Sequence, residues 1–273
     1  MSSETMLKRK RGRPRTARPD SGIMPVRALD RGLMLLQALS GEGRARLSDL
    51  ADIVGLPVST AHRLLATLQQ HGFAEFDETA QEWSVGIGAY RTGTAYLMGT
   101  NLVDGSRRIM HRLMEDTGET ANLAILEDGW IVFVSQVETR NPVRAFFRPG
   151  SRSPMHASGI GKAILAALPE REIAAILRAR GLDAFTPRTL ITPETLMADL
   201  ARIRARGWAL DDEEHHAGMR CVAAVIRNGF GEAVAGVSVS GPAGRFDDDS
   251  IVRYATAVVC AAGEISEVIG GRP

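Results

Sequence analysis

The 273-residue chain is 44% hydrophobic and 24% charged, a soluble globular composition that excludes global disorder, collagen and a coiled-coil rod. No apolar run approaches the ~20 residues of a membrane span, the N-terminus lacks the apolar core of a secretory signal, and two cysteines, Cys221 and Cys260, are too few for a disulfide framework and fit a reducing cytoplasm. The net charge of +1 hides an asymmetry: residues 1–24 hold seven basic and two acidic side chains, net +5, which leaves −4 for the rest, the imbalance expected of a nucleic-acid binder.

Residues 1–24 are polar, rich in Arg and Pro and without apolar period, and are expected to be a disordered basic arm. Within it, Arg11-Gly12-Arg13-Pro14-Arg15 resembles an AT-hook, thin enough for Arg13 and Arg15 to enter a narrow minor groove. The alternative is a polybasic tail that touches phosphates without reading sequence.

From Pro25 the pattern turns helical, with Val26, Leu29, Leu33, Leu36 and Leu39 near helical spacing and Gly41-Glu42-Gly43 as the stop. Ser48 is an expected N-cap for a short helix over Asp49–Val54. Gly55-Leu56-Pro57 breaks the chain, and a second helix is predicted from Val58 to Gln70. Two strand-like runs, 73–76 and 83–85, follow around a polar turn. Residues 25–85 thus have the order of a winged helix-turn-helix. Ala51 is small where helices cross, Gly55 suits a positive φ, and Val58, Ala61 and Leu64 are expected to pin the second helix to the first. The other face carries Ser59, Thr60, His62 and Arg63, short hydroxyls and long donors suited to phosphates and base edges. The competing reading is a helical hairpin with a solvated polar face. Residues 25–85 are net −3, so any DNA face is local and the arm is expected to supply much of the salt-dependent affinity.

Residues 86–104 read as a linker helix, weakened by Gly86, Gly88, Gly93 and Gly99. Beyond it, over about 105–270, helices are predicted at 104–117, 159–168, 169–180, 193–206 and 247–269. Strands are predicted at 121–127, 130–138, 142–148, 208–211, 219–227 and 233–240. An antiparallel sheet packed by helices follows, which makes the whole chain α+β.

Ser59-Thr60-Ala61-His62-Arg63-Leu64-Leu65, Met155-His156-Ala157-Ser158-Gly159-Ile160-Gly161-Lys162-Ala163, Asp211-Asp212-Glu213-Glu214-His215, Gly218–Ala224 and Val237-Ser238-Val239-Ser240-Gly241-Pro242 together resemble IclR-type bacterial transcriptional regulators, over about Val26–Val268. The resemblance implies a winged helix-turn-helix, a linker helix and a C-terminal GAF-like effector-binding domain. It also implies a cytoplasmic homodimer or homotetramer, a palindromic operator, and no cofactor. The glyoxylate- and pyruvate-responsive members are the nearest in motif. By that resemblance the effector, a small 2-oxo acid such as glyoxylate or pyruvate, is held by the backbone of Gly159 and Ile160 and the side chains of Asp211, Cys221, Ser238 and Ser240, with Met219 and Ala145 as walls.

The residues themselves leave alternatives open. A helix opening near Gly159–Gly161 is a natural anion site or a plain helix start. Its glycines are expected to let a ligand approach the backbone. Ser238 and Ser240 share one strand face, opposite Val237 and Val239, and their hydroxyls await a ligand or bond to backbone and water. Asp211, His215, His216 and Cys221 are possible metal ligands without a recognised zinc spacing; Cys221 with a histidine is a possible nucleophile, though its apolar run suggests an inert core thiol. Phe146 and Phe147 either narrow the pocket or pack the core. An effector-responsive regulator of a carbon-metabolism operon is the leading function. A regulator answering a different organic acid, a Cys-dependent enzyme and an architectural DNA protein are the alternatives.

Overall fold

The computed structural model describes residues 25–98 and 102–271, so the arm, with Arg13 and Arg15, lies outside the described residues. Two compact units divide at Thr94/Ala95.

The first unit runs α1 (Arg27–Glu42), β1 (Arg44–Ala45), α2 (Leu47–Val54), α3 (Val58–Gln70), β2 (Ala74–Asp77) and β3 (Glu82–Val85), and α4 (Ile87–Met98) begins in it. Leu35 and Leu39 of α1 meet Leu50 and Ala51 of α2, Ala61 and Leu65 of α3, and Trp83 of β3 in one core. Gly55 ends α2 in the left-handed region, at φ 66°. Two expectations are corrected. Ser48 is the second residue of α2 and caps nothing; Arg46 stands at the cap and Ser48 instead bonds Asp49 Oδ1 at 3.1 Å. Of the three α3 residues expected to face inward, Ala61 is fully buried and Leu64 packs partly buried against the same core, joined by Leu65, but Val58 is 49% exposed, because a helix buries i and i+4 better than a strict spacing of three. β1, two residues long and below any sequence pattern, pairs with β3 to give the order β1-β3-β2. Gly86 and Gly88 serve close packing: a Cβ at either would strike the backbone at Gly72, and Gly88 N–H donates to Gly72 O at 2.8 Å. These glycines seat the start of α4 on the turn after α3.

The second unit contains α5 (Leu102–Thr117), β4 (Thr120–Glu127), β5 (Trp130–Val137), β6 (Arg152–Pro154), α6 (Gly159–Ala167), α7 (Glu170–Arg180), α8 (Pro193–Arg206), β7 (Ala209–Asp212), β8 (Met219–Arg227), β9 (Ala233–Pro242) and α9 (Asp248–Val268). The antiparallel sheet has the order β6-β5-β4-β9-β8-β7. Strand alternation splits its side chains between two cores. Val222, Ala224, Val237 and Val239 pack against α5 and α9; Ala124, Ile131, Cys221 and Ala223 pack with α6, α7 and α8. The strand expected at 142–148 is irregular chain instead: Pro142 has no N–H for a ladder. The outer partner of β5 is β6, which is too short to show as a pattern.

Candidate functional site

Two sets of predicted residues fall in two different settings. In the first unit, Ser59, His62 and Arg63 are exposed on α3 and Thr60 is half-buried, while Ala61 and Leu65 anchor the opposite side. The His62 ring sits edge-on to Trp83, centroids 6.5 Å apart, so β3 steadies the α3 surface. Thr67 bonds the carbonyl of Arg63 at 2.9 Å. Ser48 is exposed on the neighbouring α2. The turn between β2 and β3 is acidic: Asp77 bonds Thr79 and Ala80 N–H, which together with Arg44 at 3.3 Å holds its carboxyl below the usual range, and Glu78 and Glu82 flank it. An acidic tip repels phosphate, whereas the outward face of α3 carries Arg63 and no acidic side chain.

In the second unit, Gly159, Ile160, Asp211, Cys221, Ser238 and Ser240 line one cavity enclosing about 430 Å³ of empty space including its mouth, and Met219 lines it with them. Sheet register does the assembling. Asp211 faces Cys221 across β7–β8, and Cys221 faces Ser240 across β8–β9. Residues far apart in sequence thus become neighbours in one row. Ser238 sits one pleat further along, opposite Asn122 of β4. Ala145, the other expected wall, is buried but does not line the cavity; Phe147 does, stacked on Phe133 at 4.4 Å, while Phe146 is exposed.

The α6 N-terminus closes one side. Ser158 caps it, accepting from Gly161 N–H at 3.1 Å. The amides of Gly159 and Ile160 precede the helical ladder and have no carbonyl four residues back. The helix opens at Gly159, at the start of the helix expected over 159–168. The fold itself needs its glycines: a Cβ on Gly159 would meet Cys221 Sγ at 2.8 Å, and one on Gly161 would strike Met155. Across the sheet, a Cβ on Gly236 would lie 2.6 Å from Ile160 Cγ2. Small residues let α6 lie flat on β8 and β9 and bring its amides to the row.

Sequence reasoning missed the groups that set the polarity of this cavity. Asn122 Nδ2 donates to Ser240 Oγ at 3.1 Å and Ser238 Oγ at 3.5 Å, and Gln136 Nε2 donates to Asn122 Oδ1 at 2.8 Å. Their oxygens accept from Asn122, and both hydroxyls also bond toward the Cys221 thiol. The signal was there: a lone Asn in the apolar run of β4. Lys162, 1% exposed on the otherwise apolar α6, bonds Asp199 at 2.9 Å and Glu214 at 2.5 Å. Its charge is spent tying α6, α8 and the segment after β7 together.

Titration follows burial. Desolvation, then the neighbouring Glu214 charge, raises Asp211 to about 7, against the bond its Oδ1 accepts from Glu214 N–H at 2.8 Å. Burial pushes the Cys221 thiol up to about 11 and His215, beside His216, down to about 4. A protonated thiol beside a neutral imidazole is not an activated nucleophile. Among the described residues, no three His, Cys, Asp or Glu side chains are placed to hold a metal ion. None of the described helices is long and apolar enough to cross a membrane.

Comparison with known proteins follows the same division. Residues 28–78 match the IclR helix-turn-helix domain, and residues 94–267 match the bacterial transcriptional regulator IclR C-terminal domain. The chain is 47% identical over 263 residues to the HTH-type transcriptional regulator BhcR of Paracoccus denitrificans, covering 94% of each. It is 41% identical over 265 residues to the acetate operon repressor of Salmonella typhimurium, covering 96% of this chain and 97% of that one. The crystal structure of the Thermotoga maritima IclR aligns with a TM-score of 0.75 at 29% identity, over 90% of this chain and all of that one.

Proposed function

We propose, from the premise that this chain belongs to the IclR family of bacterial transcriptional regulators and binds DNA, that its second unit senses a small 2-oxo acid, with glyoxylate the leading candidate and pyruvate next. The observation that supports the reading is a cluster of neutral polar groups in a largely apolar cavity: two α6 amides, the hydroxyls of Ser238 and Ser240, and Asp211, whose carboxyl is raised to about 7 and so is partly protonated near neutral pH. Lys162 is neutralised and Arg220 is engaged by Phe246 O and Asp212, so an anion is held by dipoles and hydrogen bonds. Asp211 is the member of the set whose proton decides whether it attracts or repels a carboxylate.

On the DNA side, α3 enters the major groove through Ser59, Thr60, His62 and Arg63, with Ser48 at the backbone. Arg13 and Arg15 of the arm add phosphate or minor-groove contacts. Two copies read the half-sites of a palindromic operator in the cytoplasm, as a homodimer or as a homotetramer made of dimers. Effector binding shifts operator affinity by preferring one arrangement of the dimer, a coupling of about 1–3 kcal/mol. The relative named for the acetate operon favours an operon of small-acid carbon metabolism as the target.

The test is fluorescence-anisotropy titration of the full chain on fragments of its own promoter and on scrambled duplex, with and without glyoxylate. A promoter preference that glyoxylate changes at least fivefold is expected. A preference that neither glyoxylate nor pyruvate moves would end the effector assignment and leave the regulator.

A further inference from the structure

The donors described so far stand on α6, β7 and β9. The same cavity reaches the opposite edge of the sheet, where β6 contributes Ser153. Ser153 pairs with Ile131, whose side chain lies on the α6 side of the sheet, and is 2% exposed. Its Oγ has no hydrogen-bond partner. Among the described residues, the other buried polar atoms in that condition belong to Asp212, Glu214 and Arg220, side chains that each take part in an ion pair, Glu214 through its other oxygen. Ser153 is therefore a neutral hydroxyl, withdrawn from water, unbonded, and facing an enclosed space.

Structure alone gives that hydroxyl no return: an unpaired buried hydroxyl is costly, and alanine would pack as well. A bound molecule supplies the missing partner. The stacked pair Phe133 and Phe147 lines the same cavity, so its wall carries apolar rings as well as two sets of polar groups. β6 and β9 are three strands apart in the sheet, so a molecule touching the Cys221–Ser240 row meets Ser153 with a different atom.

We propose that Ser153 is a specificity-determining residue at the far end of the cavity, bonding an oxygen on the terminal carbon of a short organic acid whose carboxylate lies among α6, Ser238 and Ser240. The proposal rests on the reading of this cavity as a small-acid site and narrows it: three- or four-carbon acids ending in a hydroxyl, oxo or carboxylate oxygen bind better than those ending in methyl. A pocket that hydrogen-bonds a ligand oxygen rejects the analogue lacking it, because its own polar group is then stranded.

The experiment is isothermal titration calorimetry of the full chain with 3-hydroxypyruvate and 2-oxobutyrate, which have the same number of heavy atoms and differ by hydroxyl against methyl at the far end. Glyoxylate and pyruvate are included as short references. The unaltered protein is expected to bind 3-hydroxypyruvate at least tenfold more tightly than 2-oxobutyrate. Ser153→Ala is expected to bring the two within threefold while leaving pyruvate affinity within twofold. Equal affinities in the unaltered protein, a comparison that needs no variant, overturn the proposal, as does a ratio that survives in Ser153→Ala. If none of the four acids binds, the small-acid reading fails and this proposal fails with it.

Discussion

Ser59 and His62 stand in solvent on α3, whereas Ser238 and Ser240 lie buried under α6 with their oxygens engaged by Asn122. On α3 the outward side chains are held lightly, His62 by the edge of Trp83 and Ser59 by the helix backbone, and water solvates them until a duplex arrives. In the cavity the two serines are already desolvated, and their orientation is set in advance by Asn122. The first surface suits a large, charged, deformable partner; the second suits a few atoms of fixed geometry. The difference also governs charge. The exposed face leaves Arg63 in water where it costs little, but the buried site neutralises Lys162 with Asp199 and Glu214 and keeps Asp211 protonated up to about 7.

That contrast is broken most severely at Lys162. Lys162→Met leaves Asp199 and Glu214 buried without their shared cation, a loss of about 3–5 kcal/mol. In a unit of this size that is a fall in Tm of roughly 10 °C. Thermal unfolding at pH 7.5 measures it, and unfolding at pH 5 should show a smaller loss because protonation relieves the stranded carboxylates. An unchanged Tm would mean the buried triad is not what joins α6 to α8.

Asp211→Asn is next. The folded state holds the Asp211 proton to about 7 while the unfolded chain releases it near 3.8. The stabilising contribution of this group is therefore complete below about pH 4 and is lost as pH rises through 7. Asparagine cannot ionise, so the variant should match the parent near pH 4 and exceed it at pH 8, by at most about 4 kcal/mol. Tm against pH for the two proteins gives the difference directly. A variant less stable than the parent at pH 8 would show that Asp211 is ionised and welcome in the fold.

On the exposed side, Arg63→Ala should leave Tm within a degree and cost about 1–3 kcal/mol of promoter binding, a loss of about fivefold to 150-fold that removes sequence preference. Retention of full affinity by this variant would take the groove contact away from α3.

The first unit was legible because its signals are local. The helix Val58–Gln70 was readable to the residue from a break at Gly55-Leu56-Pro57 and a stop at Gly72. Its strand β1 was not, because two residues make no pattern. In the second unit the elements were largely readable, and so was the alternation that places Ser238 and Ser240 opposite Val237 and Val239. What could not be read was register. No local rule says that Asp211 faces Cys221 or that Ser238 faces Asn122; those pairings depend on strand order, and the family resemblance supplied the set without its reason. Gly159 and Gly161 show the same limit from another side. Glycine signals close approach, but sequence does not say that the approaching atoms are Cys221 and Met155 rather than a ligand.

The smallest effect compares two serines near helix starts, one in each region. Sequence alone gave Ser48 the capping role, and an N-cap lost to alanine costs about 1 kcal/mol. Ser48 sits inside α2 and caps nothing, whereas Ser158 accepts from Gly161 N–H at a buried helix end where no water can replace it. Ser158→Ala should therefore lower stability by about 1–2 kcal/mol, and Ser48→Ala should leave it within about 0.5 kcal/mol. Urea unfolding of the two variants side by side measures the gap. Their ligand responses should diverge as well. Ser158→Ala loosens the amides of Gly159 and Ile160 and should weaken acid binding. Ser48→Ala should reduce DNA affinity modestly and equally on promoter and scrambled duplex, because a hydroxyl at the backbone positions the protein without reading bases. Equal unfolding midpoints for the two variants would mean that the α6 terminus is held by its packing on β8 and β9 and not by its cap.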